Sequence, residues 1–210
     1  PNPKNPRTNL DELEPGIIEL AENIRHVGIL QPICVRPTKD GMFEIVYGYR
    51  RYSAAIYADL KEVLAIVREL SDDEAEDLAI TENLQREDIT PLDEAAAFKR
   101  ALDTGRHTYE GLSSKFGKSE SYIHGRMKLN YLIPEMAALL KKEEINVGVA
   151  IEIAKYEPEI QQEVYRLHFK NDDMMSWKNV RIKEIAKRLY DQYMPQLDRY
   201  NFDMAECNEC

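Results

Sequence analysis

The stretch "TYEGLSSKFGKSESYIHGRMKLNYL", Thr108 to Leu132, decides the fold of the second half of the chain. Thr108 precedes one short helical pattern and Ser119 precedes another, and a hydroxyl residue at a helix start satisfies backbone N–H groups that lack an intrahelical partner. Phe116 to Lys118, with Gly117 at its centre, supplies the turn between them. Leu112, Phe116, Ile123 and Met127 then fall where two crossed helices share a core, the signature of a helix-turn-helix. Such pairs also serve as plain packing units. Favouring nucleic acid, Arg106 to Lys128 carries five Lys or Arg against two Glu. Phosphate contacts use such a surplus, and base choice uses the exposed face of the second helix, for which Lys118, Ser119, Ser121, Tyr122, His124, Arg126 and Lys128 are the candidates. Glu120 would repel phosphate yet accept from a cytosine amino group. Gly125 gives up helix propensity and would permit close approach to a DNA backbone.

Helical patterns extend in both directions from this motif. Downstream, "IPEMAALLKKEEINVGVAIEIAKY", "PEIQQEVYRLHF" and "WKNVRIKEIAKRLYDQYM" read as three further helices, with Trp177 and the Tyr-rich tail as packing or oligomer contacts. Upstream, Pro91 opens a helix through Asp103. Before it "SDDEAEDLAITENLQRED" begins with a cap and first-turn acids that favour a helix N-terminus. On that helix Glu82 and Arg86 share a face at i and i+4.

Residues 1–67 change character. An extended start, "PNPKNPRTNL", leads to a helix with Ile17, Leu20, Ile24 and Val27 at helical spacing, stopped by Gly28. "LQPICVRP" alternates as a strand with Ile33 and Val35 on one face. "KDG" turns, and "MFEIVYG" returns as a second strand with Phe43, Ile45 and Tyr47 on one face. After Gly48 the chain turns helical, and "EVLAIVREL" reads as a third strand. The fold class is therefore α+β: a small mixed α/β domain followed by an all-α one. The boundary falls near Asp103 to His107, with Ile89 to Pro91 as an inner hinge; divided at that hinge, the domains are 1–90 and 91–206, with the helix-turn-helix at 108–130.

With 210 residues there is room for two small cores. Hydrophobic content of 43% against 31% charge excludes a disordered chain. No apolar run approaches the roughly 18 residues of a membrane span, and no signal peptide is visible, so no membrane role is expected. Cys34, Cys207 and Cys210 do not form a secreted disulfide framework, which fits a reducing cytoplasm. The net charge of −10 taken alone argues against a polyanion partner, but the charge is unevenly distributed. Glu69 to Glu94 holds 11 acids and one base, Arg86, leaving 27 of each sign elsewhere. The acidity is local.

Two constellations carry chemistry in the first domain. Arg50 and Arg51 follow Gly48 at a strand-to-helix junction, where free N–H groups and the positive dipole end favour an anion and two guanidiniums would add bidentate phosphate contacts. Alternatively they are a solvated pair. Glu82 and Arg86 would pair for about 0.2–0.5 kcal/mol, but Asn83, a poor helix-interior residue, is not explained by that pairing. A carboxylate and an amide oxygen suit magnesium, which usually also binds substrate phosphates. Together the two groups describe a nucleoside triphosphate site. "CNEC" at 207–210 is half of a zinc site, Cys207 and Cys210, which needs further ligands in a longer chain.

"NPKNPR", "GILQPICVRP", "GYRRYSAA", "TENLQREDITPLDEAAAF" and the helix-turn-helix stretch occur in the order and spacing of the ParB family of partition proteins, and the resemblance covers residues 2 to about 155. It implies a ParB/sulfiredoxin-like domain that binds CTP with magnesium, loading onto double-stranded DNA at a parS-like palindrome, closure of a homodimer into a sliding clamp, and slow CTP hydrolysis that resets it. It implies that Gly28, Ile29, Gln31, Pro32, Ile33 and Val35 line the nucleobase side and that Gly48, Arg50 and Arg51 hold the triphosphate. Glu82 and Asn83 would sit at magnesium and the phosphates, with Glu82 and Gln31 the catalytic candidates, Arg86 on the phosphate side, and Arg7 in the N-terminal motif. A ParA-type ATPase partner and a nucleoid-associated, cytoplasmic location are also implied. The family's C-terminal dimerisation domain and ParA-contacting tail are not recognisable, which fits truncation at both ends. Two departures stand out: the family's "GERRxRA" has Glu and Arg where this chain has Tyr49 and Ser53. A DNA-binding repressor or nucleoid protein without hydrolysis is the alternative, and a phosphoryl-transfer enzyme acting on DNA lacks a two-metal ligand set.

Overall fold

The computed structural model describes residues 15–86, 89–171 and 176–194; Arg7, Cys207 and Cys210 lie outside them. By their contacts the residues form two compact units, one reaching Ile89 and including Asp103–Arg106, the other comprising Thr90–Leu102 and the chain from His107 on.

The first unit is built on a three-stranded sheet of order β2-β1-β3. Helix α1 (Pro15–Val27) ends where Gly28 takes φ 74°, a conformation that a Cβ disfavours. Its Ala21 and Ile24 pack on Ala54 of α2 (Tyr49–Tyr57) and on Ala58, which caps that helix. Strands β1 (Ile33–Pro37) and β2 (Phe43–Tyr47) form the expected antiparallel hairpin, while β3 (Ala65–Val67) runs parallel to β1 and is shorter than its apolar sequence suggests. The register shifts between Cys34 and Val35, where Cys34 faces Tyr47 and Val35 faces Ile45, so Val46 is the extra residue of a bulge. Alternation breaks there. Ile45 joins Ile33 and Val35 in one cluster, Val46 and Tyr47 join Cys34 in another, and Phe43 is exposed, in place of the single face expected for Phe43, Ile45 and Tyr47.

Helix α3 (Asp72–Leu84) covers the Cys34 face with Ala75, Leu78 and Ala79. Ser71 and Glu74 close a reciprocal capping box at its start. Arg36 ties the sheet to this helix, 2.6 Å from both Glu44 of β2 and Asp72. At the far end Gln85 caps the helix, so Arg86 lies past its terminus and the expected i, i+4 pairing of Glu82 with Arg86 is not a helical one.

The second unit is helical. Its core gathers Leu129, Met136, Ile153, Val164, Phe169, Trp177, Ile185 and Leu189 from elements far apart in sequence. Helix α4 (Pro91–Asp103) precedes α5 (Tyr109–Phe116) and α6 (Glu120–Lys128), capped by Thr108 and Ser119 and joined through Gly117 at φ 64°. Leu112 and Ile123 are buried between them, and Phe116 meets Phe98 of α4 edge-on at 6.3 Å. The first downstream run is two helices, α7 (Pro134–Lys141) and α8 (Val147–Ile153), because Glu143 takes φ 59° and Asn146 caps a new start. Helix α9 (Pro158–His168) carries the fully buried Gln161, whose amide accepts from Ile133 N–H and donates to the Tyr131 and Tyr156 carbonyls. Helix α10 (Ile182–Tyr193) starts later than expected, and Trp177 before it stacks on His168 at 3.9 Å. Among the described residues no helix is long and apolar enough to cross a membrane.

Candidate functional site

The first-unit site is organised by Gly48. Its φ of 97° starts α2, and a Cβ there would lie 2.9 Å from Ile33 Cγ2 and 3.2 Å from the Ile33 backbone. Only glycine lets the helix begin against β1. Three residues on, Arg51 donates from Nη1 to the carbonyls of Gln31 (2.8 Å) and Pro32 (2.6 Å), while Nη2 stands 4.0 Å from Glu82 Oε1 on the last turn of α3. The loop after α1, the start of α2 and the end of α3 thus converge on one guanidinium. Arg50 lies beside α1, where a Cβ on Gly16 would come within 2.9 Å of its Nη2.

The remaining predicted residues divide by burial. Gln31 and Gly28 are exposed, Ile29, Pro32, Asn83 and Arg86 are half-buried, and the Glu82 side chain is 36% accessible. Ile33 and Val35 do not line an open surface: both side chains are buried in the sheet cluster with Tyr49 and Tyr52. Their part is to seat the loop. Tyr49, where the family pattern has Glu, is therefore packed against the sheet. Burial, and then the neighbouring Cys34, raises the Tyr47 phenol above its ordinary value, with Glu82 adding to the shift.

In the second unit the expected DNA face is only partly outward. Lys118, Ser119, Ser121 and His124 are exposed and Lys128 is half-buried. Ser119 accepts from Tyr122 N–H as the helix cap, and His124 stacks on Tyr109 of α5 with ring centroids 3.8 Å apart. Tyr122 and Arg126 turn inward, away from the exposed face of α6. The Tyr122 hydroxyl lies 2.8 and 3.0 Å from the Glu94 carboxylate oxygens, and Arg126 Nε donates to Glu94 Oε2 at 2.7 Å. Gly125 faces Ile151 of α8, where a Cβ would make ordinary contact at 3.5 Å. The basic surplus counted in the sequence shrinks accordingly. Arg106, in the first unit, is held by Asp73, Glu76 and Asp77 of α3 at 2.8–2.9 Å. Glu94 itself was missed: its partners lie 28 and 32 residues away, and nothing local marks it.

A family model of the ParB N-terminal domain matches residues 1–84, and one of the ParB HTH domain matches residues 87–188. The chain belongs to the ParB family. Among ParB relatives, the chromosome-partitioning protein Spo0J of Thermus thermophilus is 43% identical over 159 residues, 76% of this chain and 58% of that protein. A nucleoid occlusion protein of Listeria monocytogenes is 37% identical over 162 residues, 77% of this chain and 56% of that one. The chain thus spans somewhat over half the length of these curated relatives. Of the solved structures, C-terminally truncated ParB from Caulobacter crescentus, complexed to the centromeric parS site, superposes with a TM-score of 0.61 at 30% identity, covering 90% of this chain and 94% of that one.

Proposed function

We propose that this ParB-family protein is a CTP-dependent DNA clamp for chromosome or plasmid segregation. Residues 1–90 would hold the nucleotide and 91–206 would bind a parS-like palindrome. The observation that carries the reading is Arg51, bridging the Gln31 and Pro32 carbonyls and facing Glu82. A cation and a helix N-terminus beside one loop suit the phosphates, and the carboxylate suits the magnesium that accompanies them.

Magnesium fits the donor set. Among the described residues no three His, Cys, Asp or Glu gather to cage a metal, whereas magnesium next to a nucleotide characteristically takes one or two protein oxygens and completes its shell with phosphate and water. Glu82 and Asn83 would supply those oxygens, and the bound cation would neutralise developing phosphate charge. Arg50 and Arg51 would hold the phosphates, and Arg86 would approach from the end of α3. Glu82 would orient the attacking water, aided by Gln31 on the loop that Arg51 anchors. Slow turnover is the expected outcome of a single half-exposed carboxylate in that role. A homodimer, a ParA-type ATPase partner and a nucleoid location complete the reading.

The second reading, a nucleoid or repressor protein that binds DNA without hydrolysis, draws on one feature: Tyr49 packs against β1 where the family pattern has a carboxylate. Titration of CTP, GTP, ATP and UTP with magnesium, with and without a duplex carrying the Caulobacter parS site, separates the two. CTP-selective binding with DNA-stimulated phosphate release is expected, and Glu82→Ala should bind CTP while losing turnover by about 100-fold or more. Binding without release gives the second reading; absence of nucleotide preference overturns the first.

A further inference from the structure

Glu94 lies on the first turn of α4 and is 7% exposed. A carboxylate that deep in a protein must be paired to remain charged. Its two oxygens are met by the Tyr122 hydroxyl and by Arg126 Nε. Arg126 also donates to the Tyr122 oxygen at 3.1 Å, and its guanidinium lies 4.8 Å from the Tyr122 ring centre. The same ring is approached by Lys118 Nζ at 5.2 Å. Tyr122 and Arg126 are one helical turn apart on α6, so one buried carboxylate holds the second helix of the helix-turn-helix at two points.

We infer that Glu94 is a positioning residue for DNA binding: it fixes the rotation of α6 and withholds the Arg126 charge from the phosphate backbone. The inference rests on the DNA-binding reading above. If Arg126 left Glu94 for a phosphate, a buried carboxylate would keep only a phenol as partner, which opposes the exchange. Arg126, 16% accessible, is accordingly neutralised in place, and the motif meets nucleic acid through Lys118 of the turn and Ser121, His124 and Lys128 of α6. The consequence is specificity. Base contacts do not add to the sequence-independent electrostatic affinity, so a guanidinium removed from phosphate duty lowers binding to arbitrary DNA while the reading face keeps its orientation.

The salt dependence of binding tests this, because each phosphate contact contributes a slope of about −0.9 in log K against log salt. Anisotropy is measured for the protein with a duplex carrying the Caulobacter parS site and with a scrambled duplex of equal length. Glu94→Gln keeps a hydrogen-bonding group for Tyr122 but releases Arg126. It should steepen the slope by about one contact, which is about three- to fourfold more affinity lost between 50 and 200 mM salt, and it should tighten binding to the scrambled duplex. Adding Arg126→Ala to it should restore the original slope. An unchanged slope in Glu94→Gln, or a slope flattened by one contact in Arg126→Ala alone, overturns the inference. Should the variants not fold, the arginine Nε–H resonance of Arg126 in the unaltered protein decides: it should stay in place on adding the parS duplex, and a shift on binding counts against the inference. Failure of the unaltered protein to bind either duplex removes the DNA-binding reading and this inference together, an outcome distinct from binding with a flattened Arg126→Ala slope.

Discussion

Arg51 in the first unit and Arg126 in the second have similar burial, their side chains 21% and 16% accessible, but opposite electrostatic circumstances. Arg51 is held by two neutral carbonyls, with a carboxylate only at 4.0 Å. Arg126 is held by a carboxylate at 2.7 Å. Carbonyl acceptors fix a guanidinium without cancelling its charge, so Arg51 is oriented and still electropositive. A buried carboxylate fixes it and cancels it. Residue type and exposure alone do not tell an arginine whose charge stays available from one whose charge is cancelled; the acceptor does.

Three substitutions sharpen that contrast. The largest effect is expected from Arg51→Ala, which removes charge-assisted hydrogen bonds worth about 1.5–3 kcal/mol each. The Kd for CTP should rise at least about tenfold in isothermal titration, whereas Arg126→Ala should leave it unchanged; equal losses in both would erase the distinction. Next is Gly48→Ala, which forces a Cβ into contact with Ile33 at a positive φ. A cost of about 1–3 kcal/mol is expected in thermal unfolding, together with weaker CTP binding, since Arg51 sits one turn from the strained residue. Stability loss without any change in CTP affinity would mean that the start of α2 does not position the site.

The smallest is Ser71→Ala, at about 0.5–2 kcal/mol for a lost cap. The backbone N–H and hydroxyl of Ser71 hold the Glu74 carboxyl below its ordinary value. A depressed carboxyl stabilises the fold fully above its unfolded value and loses that contribution as pH falls through the folded one. The difference between the unaltered protein and the variant in urea unfolding should therefore narrow on acidification below the ordinary carboxylate range. A difference that is constant with pH would contradict the role of Glu74 in the box.

Local rules made the helix starts readable: Ser71, Thr108 and Ser119 each cap the helix expected of them, and Gly28, Gly48 and Gly117 take the positive φ values their positions demand. The α+β architecture and the convergence of Arg51, Gln31 and Glu82 followed from hydrophobic period and family resemblance. What escaped was non-local. The bulge at Val46 depends on strand register, and the early end of α3 took Arg86 off the helix face that spacing had assigned to it. The inward turn of Tyr122 and Arg126 needed a carboxylate about thirty residues away, which no helical wheel contains.

Cys34 sits at the centre of the sheet with no accessible surface, and burial raises its thiol above the usual range. The thiolate is the form that attacks alkylating reagents, so this sulfur is doubly shielded while the sheet is closed. In a chain whose other cysteines, Cys207 and Cys210, lie at the far end of the sequence, that makes Cys34 an internal chronometer: each chemical mark it acquires records one opening of the first unit.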